Sequence, residues 1–213
     1  MTGETATIEL RDESVRGKRR WRADFGDESA FQVEAEGGDL RFTGETLEID
    51  CTENGDGVTV WRRETFPGDV LVEYTATCHE DSEADAPTSG RNLNLFVGAA
   101  GDDGDPETLA ETDRTGAYNE YHGLPNYVFT LTYRHSRMRR DPGFEKRSEF
   151  VVGAQPDHTY DVQVLKRGGE IAAAVDGRLL HHWHDEDPHG EGWVGLRTWN
   201  TDVTYEDWAV YEL

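Results

Sequence analysis

Lysine is nearly missing from this 213-residue chain: Lys18, Lys146 and Lys166 are the only three. Arginine carries the rest of the positive charge. In all, 44 Asp and Glu outnumber 21 Lys and Arg, for a formal net charge of -23. So little positive charge excludes the electrostatic footprint of a nucleic-acid binder. Acidic excess with few lysines suits a surface that stays hydrated in concentrated salt, where the Debye length falls to about 3 Å and self-repulsion is screened. The composition therefore points to a halophilic, archaeal-type source. The two cysteines, Cys51 and Cys78, are too few for a disulfide framework or a zinc site, and read as reduced packing residues. No apolar run approaches the roughly 18 residues of a membrane span. The start, "MTGETATIEL", has no apolar signal core and no twin-arginine pair, so the expectation is a cytoplasmic protein without a membrane partner.

Long helical periodicity is also lacking. What the chain has instead is short two-residue alternation broken by Gly, Asp and Pro. Strands are expected at 31–36, 39–43, 45–51, 57–63, 69–78, 92–99, 127–135, 148–152, 159–166, 170–176, 178–183, 192–199 and 203–212. "AVDGRLL" places Asp176-Gly177 between two of them, a strong hairpin signal. A helical turn is expected only near Glu107–Glu111. Six Trp, eight Tyr and eight Phe within these segments exclude disorder. About a dozen short strands predict an all-β chain: one domain, 1–213, folded as a two-sheet antiparallel β-sandwich.

Alternation assigns faces. In "NLNLFVGA" Leu93, Leu95 and Val97 point one way, and Asn92, Asn94 and Phe96 the other. In "YVFTLTYRH" Tyr127, Phe129, Leu131 and Tyr133 oppose Thr130, Thr132 and Arg134. In "GWVGLRTWN" Val194 and Leu196 oppose Trp193, Arg197 and Trp199. Each of these strands has one apolar face and one face of Asn, Thr, Arg or Trp. If the three lie in one sheet, the second faces line a groove. The stretch "YRHSRMRRDPGF" concentrates Arg134, Arg137, Arg139 and Arg140, against the trend of the whole chain.

"WRRETFPGDVLVEY", "RNLNLFVGA", "YNEYHGLPNYVFTLTYRHSRMRRDPGF" and "GWVGLRTWNTDVTYEDWAVYEL" together resemble the YesU-like proteins, from about Trp61 to Leu213. The resemblance implies a concanavalin A-like jelly roll with a concave sugar-binding face. It also implies a link to breakdown of pectin-type polysaccharides containing uronate and rhamnose. It supplies no established catalytic residues.

With an oligosaccharide as the partner, the residues take on roles. Guanidinium binds carboxylate through two parallel hydrogen bonds, so Arg134, Arg137 and Arg197 are candidates for holding a uronate. Arg139 and Arg140 are expected to pair with the protein's own carboxylates. Trp199 and Trp61 offer flat faces for sugar rings, and Asn92 and Asn94 can both donate to and accept from hydroxyls. His122 and Tyr121, beside Gly-Leu-Pro, are candidates to take a proton in β-elimination, with Arg134 neutralising the carboxylate. The E-x-D-x-x-E strand motif of jelly-roll glucanases is absent. No metal site is expected: "HHWHDEDPHGEG" matches no closed zinc pattern, and "GDDGDPE" lacks the full calcium-loop order, although calcium through oxygens stays open there. No other cofactor is expected, because there is no P-loop, Rossmann glycine pattern or G-x-S-x-G elbow. Polysaccharide lyase, glycoside hydrolase, non-catalytic lectin-like module and groove for a partner chain all remain open at this level.

Overall fold

The computed structural model describes residues 4–53, 56–80, 88–111 and 113–213. Valine, isoleucine, threonine and aromatic residues fill the alternating runs, and turn residues return each run onto a neighbour. In chain order the first strands are β1 (Thr5–Glu9), β2 (Ser14–Arg22), β3 (Phe31–Ala35), β4 (Asp39–Phe42), β5 (Leu47–Asp50), β6 (Gly57–Arg62), β7 (Val70–His79) and β8 (Leu93–Ala99). Two 3₁₀ turns, Pro106–Glu111 and Tyr118–Tyr121, precede the rest. These are β9 (Asn126–Leu131), β10 (Ser136–Asp141), β11 (Glu145–Phe150), β12 (Thr159–Arg167), β13 (Glu170–Val175), β14 (Arg178–His184), β15 (Trp193–Trp199) and β16 (Asp202–Glu212).

They form two antiparallel sheets. The nine-stranded sheet runs β1-β2-β16-β7-β12-β13-β14, with β5 paired to β16 and β4 to β5. The seven-stranded sheet runs β11-β10-β9-β8-β15-β6-β3. The all-β sandwich expected from the alternation is the fold observed. Between the sheets Leu93, Leu95, Phe129, Leu131, Val194 and Leu196 meet Val72, Tyr74, Val162, Val164, Tyr205 and Val210. Burying each such aliphatic side chain contributes about 1.5–3 kcal/mol. Cys51 and Cys78 are free thiols buried in the same core. Asp176 and Gly177 adopt φ of 50° and 71°, the backbone of a type I′ turn, which closes the β13–β14 hairpin as the Asp-Gly pair requires. Among the described residues no helix is long and apolar enough to cross a membrane.

The sequence pattern did not disclose β1, β2 or β10. In the β1–β2 hairpin Ala6, Ile8 and Val15 point into one apolar cluster and Trp21 packs against the main core, but "RGKRRWR" hides their phase. The run expected as one strand over 127–135 ends at Leu131. There Thr132 Oγ1 accepts from the backbone N–H groups of Arg134 and His135, each at 3.1 Å, and closes a turn. The chain then returns as β10, so the arginine-rich stretch is a strand in its own right. The strand expected at 148–152 lies at Glu145–Phe150 instead.

Candidate functional site

Register fixes the outer face of the seven-stranded sheet. Arg137 opposes Thr130, Thr130 opposes Asn94, Asn94 opposes Arg197, and Arg197 opposes Thr59. One polar row therefore crosses five strands. Two residues along each strand, a second row runs Arg139, Val128, Phe96, Gly195 and Trp61. That row is covered: the segment between β8 and β9 lays Leu109, Tyr121 and Leu124 over Trp61, Phe96 and Val128. A Cβ at position 195 would overlap the Trp61 indole, so Gly195 is what lets that ring lie across the sheet.

The polar row stays open beneath a cavity of about 300 Å³. Buried Asn94, Thr130, Thr132 and Arg197 form its floor; Asn92, His135 and Arg137 stand around it with Tyr118 and Trp199, which are 41% and 43% exposed. Thr130 Oγ1 donates to Asn94 Oδ1 at 2.6 Å, and Asn94 Nδ2 donates to the Arg197 carbonyl at 3.2 Å and to Asn92 Oδ1. These bonds fix the amide faces from below. A larger cavity of about 550 Å³ lies over the nine-stranded sheet. It is lined by Glu4, Glu73, Asp161 and Asp207, and its Arg22 is tied to Asp207. Among the described residues that line it, no cation is left free for an anionic ligand.

Arg197 is the anomaly in the smaller cavity. It is 2% exposed, its Nη2 donates to the Gly116 carbonyl at 3.2 Å, and its Nε has no hydrogen-bond partner among the described residues. Its guanidinium carbon lies 5.2 Å from the Tyr118 ring centroid and 5.5 Å from that of Tyr121. No carboxylate among the described residues forms an ion pair with it. Burial pushes its pKa down, and the nearby Glu36 carboxylate, which makes no direct ion pair with it, offsets this only in part. Other arginines nearby are paired. Arg137 Nε donates to Glu149 at 2.6 Å, Arg139 Nε to buried Asp141 at 2.8 Å, and Arg140 Nε to Asp185 at 2.8 Å. For Arg139 and Arg140 this is the pairing expected from sequence.

The cavity brings together Asn92, Asn94, Arg137, Arg197 and Trp199, all candidates from the sequence. Four others lie elsewhere. Arg134 sits exposed in the β9–β10 turn with its guanidinium 4.7 Å from the Tyr133 ring, because the turn at Thr132 ends the strand phase that assigned it to the sheet. Trp61 is wholly buried under Tyr121 and Phe96. Tyr121 is buried too, and its hydroxyl donates to Glu34 Oε2 at 2.8 Å. His122 stands behind the wall, edge-on to Tyr118 at 4.5 Å and to Phe144 at 4.8 Å, and burial holds its pKa below the usual value.

Sequence reasoning missed Tyr118 and His135, which lie on turns where strand phase has no meaning. A signal for Tyr118 was present: residues three apart eclipse on a 3₁₀ turn, so Tyr118 and Tyr121 share a side. In "GDDGDPE" Asp103 Oδ1 accepts from the Asp105 N–H and Thr108 Oγ1, and Asp105 Oδ1 from the Glu107 N–H. Those carboxylates are engaged within the loop. Among the described residues no group of three or more His, Cys, Asp or Glu is placed to hold a metal ion.

A family model described as Domain of unknown function (DUF6250) matches residues 52–208. The chain belongs to this family. No curated protein matches this DUF6250 chain in sequence. Among solved structures it is similar to a protein of unknown function with galectin-like fold from Bacillus subtilis, at 22% identity and TM-score 0.78, over 92% of this chain and 96% of that one. It is also similar to the carbohydrate binding module CBM66 from Bacillus subtilis, at 13% identity and TM-score 0.57, over 86% of this chain and 96% of that one. A third is the VIP36 exoplasmic/lumenal domain in its Ca2+/Man-bound form, at 10% identity and TM-score 0.63, over 86% of this chain and 83% of that one. At such identities the likeness establishes the fold, a jelly-roll sandwich of the concanavalin type.

Proposed function

We propose that the protein binds acidic oligosaccharides, of the uronate- and rhamnose-containing pectin type, in the cavity over the seven-stranded sheet. One observation carries this reading: the buried Arg197 guanidinium forms no direct ion pair with any carboxylate of the described residues, in a chain with 44 Asp and Glu. An acidic protein does not leave an arginine without a direct ion pair for want of carboxylates. A ligand carboxylate would supply that pair and the acceptor for Nε. The surroundings suit a sugar: Trp199 and Tyr118 present ring faces, and the Asn92–Asn94–Thr130 network presents held amide and hydroxyl groups. Two structural neighbours carry carbohydrate-related titles, CBM66 as a carbohydrate binding module and VIP36 with bound mannose. The sequence resemblance to YesU-like proteins supports the pectin-type class.

Calorimetry with an oligogalacturonide and a neutral oligogalactoside of equal length tests the reading. The acidic ligand should bind about 2- to 30-fold more tightly, from a charge-assisted hydrogen bond of about 1.5–3 kcal/mol against about 1 for a neutral one. Trp199→Ala should weaken both ligands equally. Equal affinity of the unmodified protein for the two ligands would remove the role of Arg197.

A further inference from the structure

No Asp or Glu stands among the described residues that line the cavity. The carboxylate pair of glycoside hydrolysis is therefore not what this site presents. Two side chains around it can transfer protons, Tyr118 and His135. They are differently prepared. His135 Nδ1 faces Thr132 Oγ1 at 3.3 Å, and burial, then the nearby Arg137 charge, disfavours the protonated ring. Tyr118 instead has a cation on its oxygen: Arg139 Nη1 donates to the phenol at 2.6 Å. Arg139 is itself buried and fixed, by Asp141 Oδ2 on its Nε and by the Phe144 ring 4.3 Å from its guanidinium carbon. The Arg197 guanidinium carbon lies 5.2 Å from the centroid of the same ring. A negative oxygen at Tyr118 would thus meet a charge-assisted hydrogen bond that is already in place.

Resting on the acidic-carbohydrate reading, we propose that the protein is a lyase for 4-linked uronates, with Arg197 holding the carboxylate and Tyr118 exchanging the proton. In the step, ionised Tyr118 takes the proton from C5, next to the carboxylate. The C5–H electron pair becomes the C4=C5 double bond, and the C4–O4 bond breaks. The departing O4 takes the proton now on Tyr118, which restores the phenolate. Neither water nor an oxidant is consumed. Arg197 offsets the charge that builds on the carboxylate as C5 loses its proton.

The test uses the full chain with oligogalacturonide, oligomannuronate and oligoglucuronate. Calorimetry reads binding, and ultraviolet absorbance reads unsaturated uronate. At least one ligand should be both bound and cleaved. Tyr118→Phe should bind it within about threefold, which also reports correct folding, yet lose about 10²–10⁴-fold in rate. Binding without any absorbance rise overturns the lyase proposal and leaves the binding reading standing. Cleavage by Tyr118→Phe at the unmodified rate overturns the role of Tyr118. No binding of any of the three ligands defeats the acidic-carbohydrate reading and the proposal with it.

Discussion

Replacing Arg197 by methionine separates a residue kept for a ligand from one kept for the fold. Methionine roughly matches the aliphatic stem and removes the charge. The free protein loses one hydrogen bond from a charged donor to the Gly116 carbonyl, about 1.5–3 kcal/mol, and two cation–π contacts of about 0.5–1 kcal/mol each. Against this, it no longer buries an ion, whose effective cost in a protein interior is several kcal/mol. It also no longer carries an unpartnered Nε, worth about 1–3 kcal/mol. The balance runs from about neutral to about 2 kcal/mol more stable. For a chain of this size that corresponds to a rise of up to about 4–8 °C in Tm. Thermal unfolding with and without oligogalacturonide is the assay. The unmodified protein should be stabilised by the ligand and the variant should not, because only a ligand bound to the folded state raises Tm. A variant more than about 2 kcal/mol less stable, with its ligand-induced shift intact, would show that Arg197 serves the fold.

Three further outcomes follow from other parts of the structure. His181 is buried between Ser136 and Ser148, its Nε2 2.8 Å from Ser136 Oγ, and burial depresses its pKa to about 4. Because the unfolded chain binds the proton more readily between about 6.5 and 4, the stability associated with the neutral ring is lost as pH falls through that window; subtracting the pH profile of His181→Gln should reveal this component, and a flat difference would contradict it. Lowering salt from molar to about 0.1 M lengthens the Debye length to about 10 Å, so repulsion in a chain of net charge -23 should lower Tm; an unchanged Tm would count against a halophilic source. Leu95→Ala, at the wholly buried centre of β8, should cost about 2–5 kcal/mol in urea unfolding, and a cost under 1 kcal/mol would mean the sheets do not pack there.

The fold and four of the nine residues that line the candidate site were legible for one reason, the period of two on β8 and β15. It put Leu93, Leu95, Val194 and Leu196 inward and Asn92, Asn94, Arg197 and Trp199 outward, and both sets lie as the phase requires. Phase fails wherever a strand ends unnoticed. Arg134 was assigned across a turn that Thr132 closes, whereas Arg137 reaches the cavity from β10 by pairing with Thr130. Phase also says nothing of what covers a face. Trp61 lies on the same outer face as Arg197, but the 3₁₀ segment that bears Tyr121 buries it, and no local pattern in "YNEYHGLP" announces that docking. Nor could the sequence show that Arg139 spans from Asp141 to Tyr118, since that link depends on a hairpin and a distant turn meeting in space.

The most direct measurement is a crystal structure of the protein with oligogalacturonide bound. A uronate carboxylate should lie within hydrogen-bonding distance of the Arg197 guanidinium and a sugar ring against Trp199, with the Tyr118 hydroxyl facing the sugar. A ligand seated over the nine-stranded sheet, or one in this cavity with its carboxylate turned to solvent and away from Arg197, would contradict this placement.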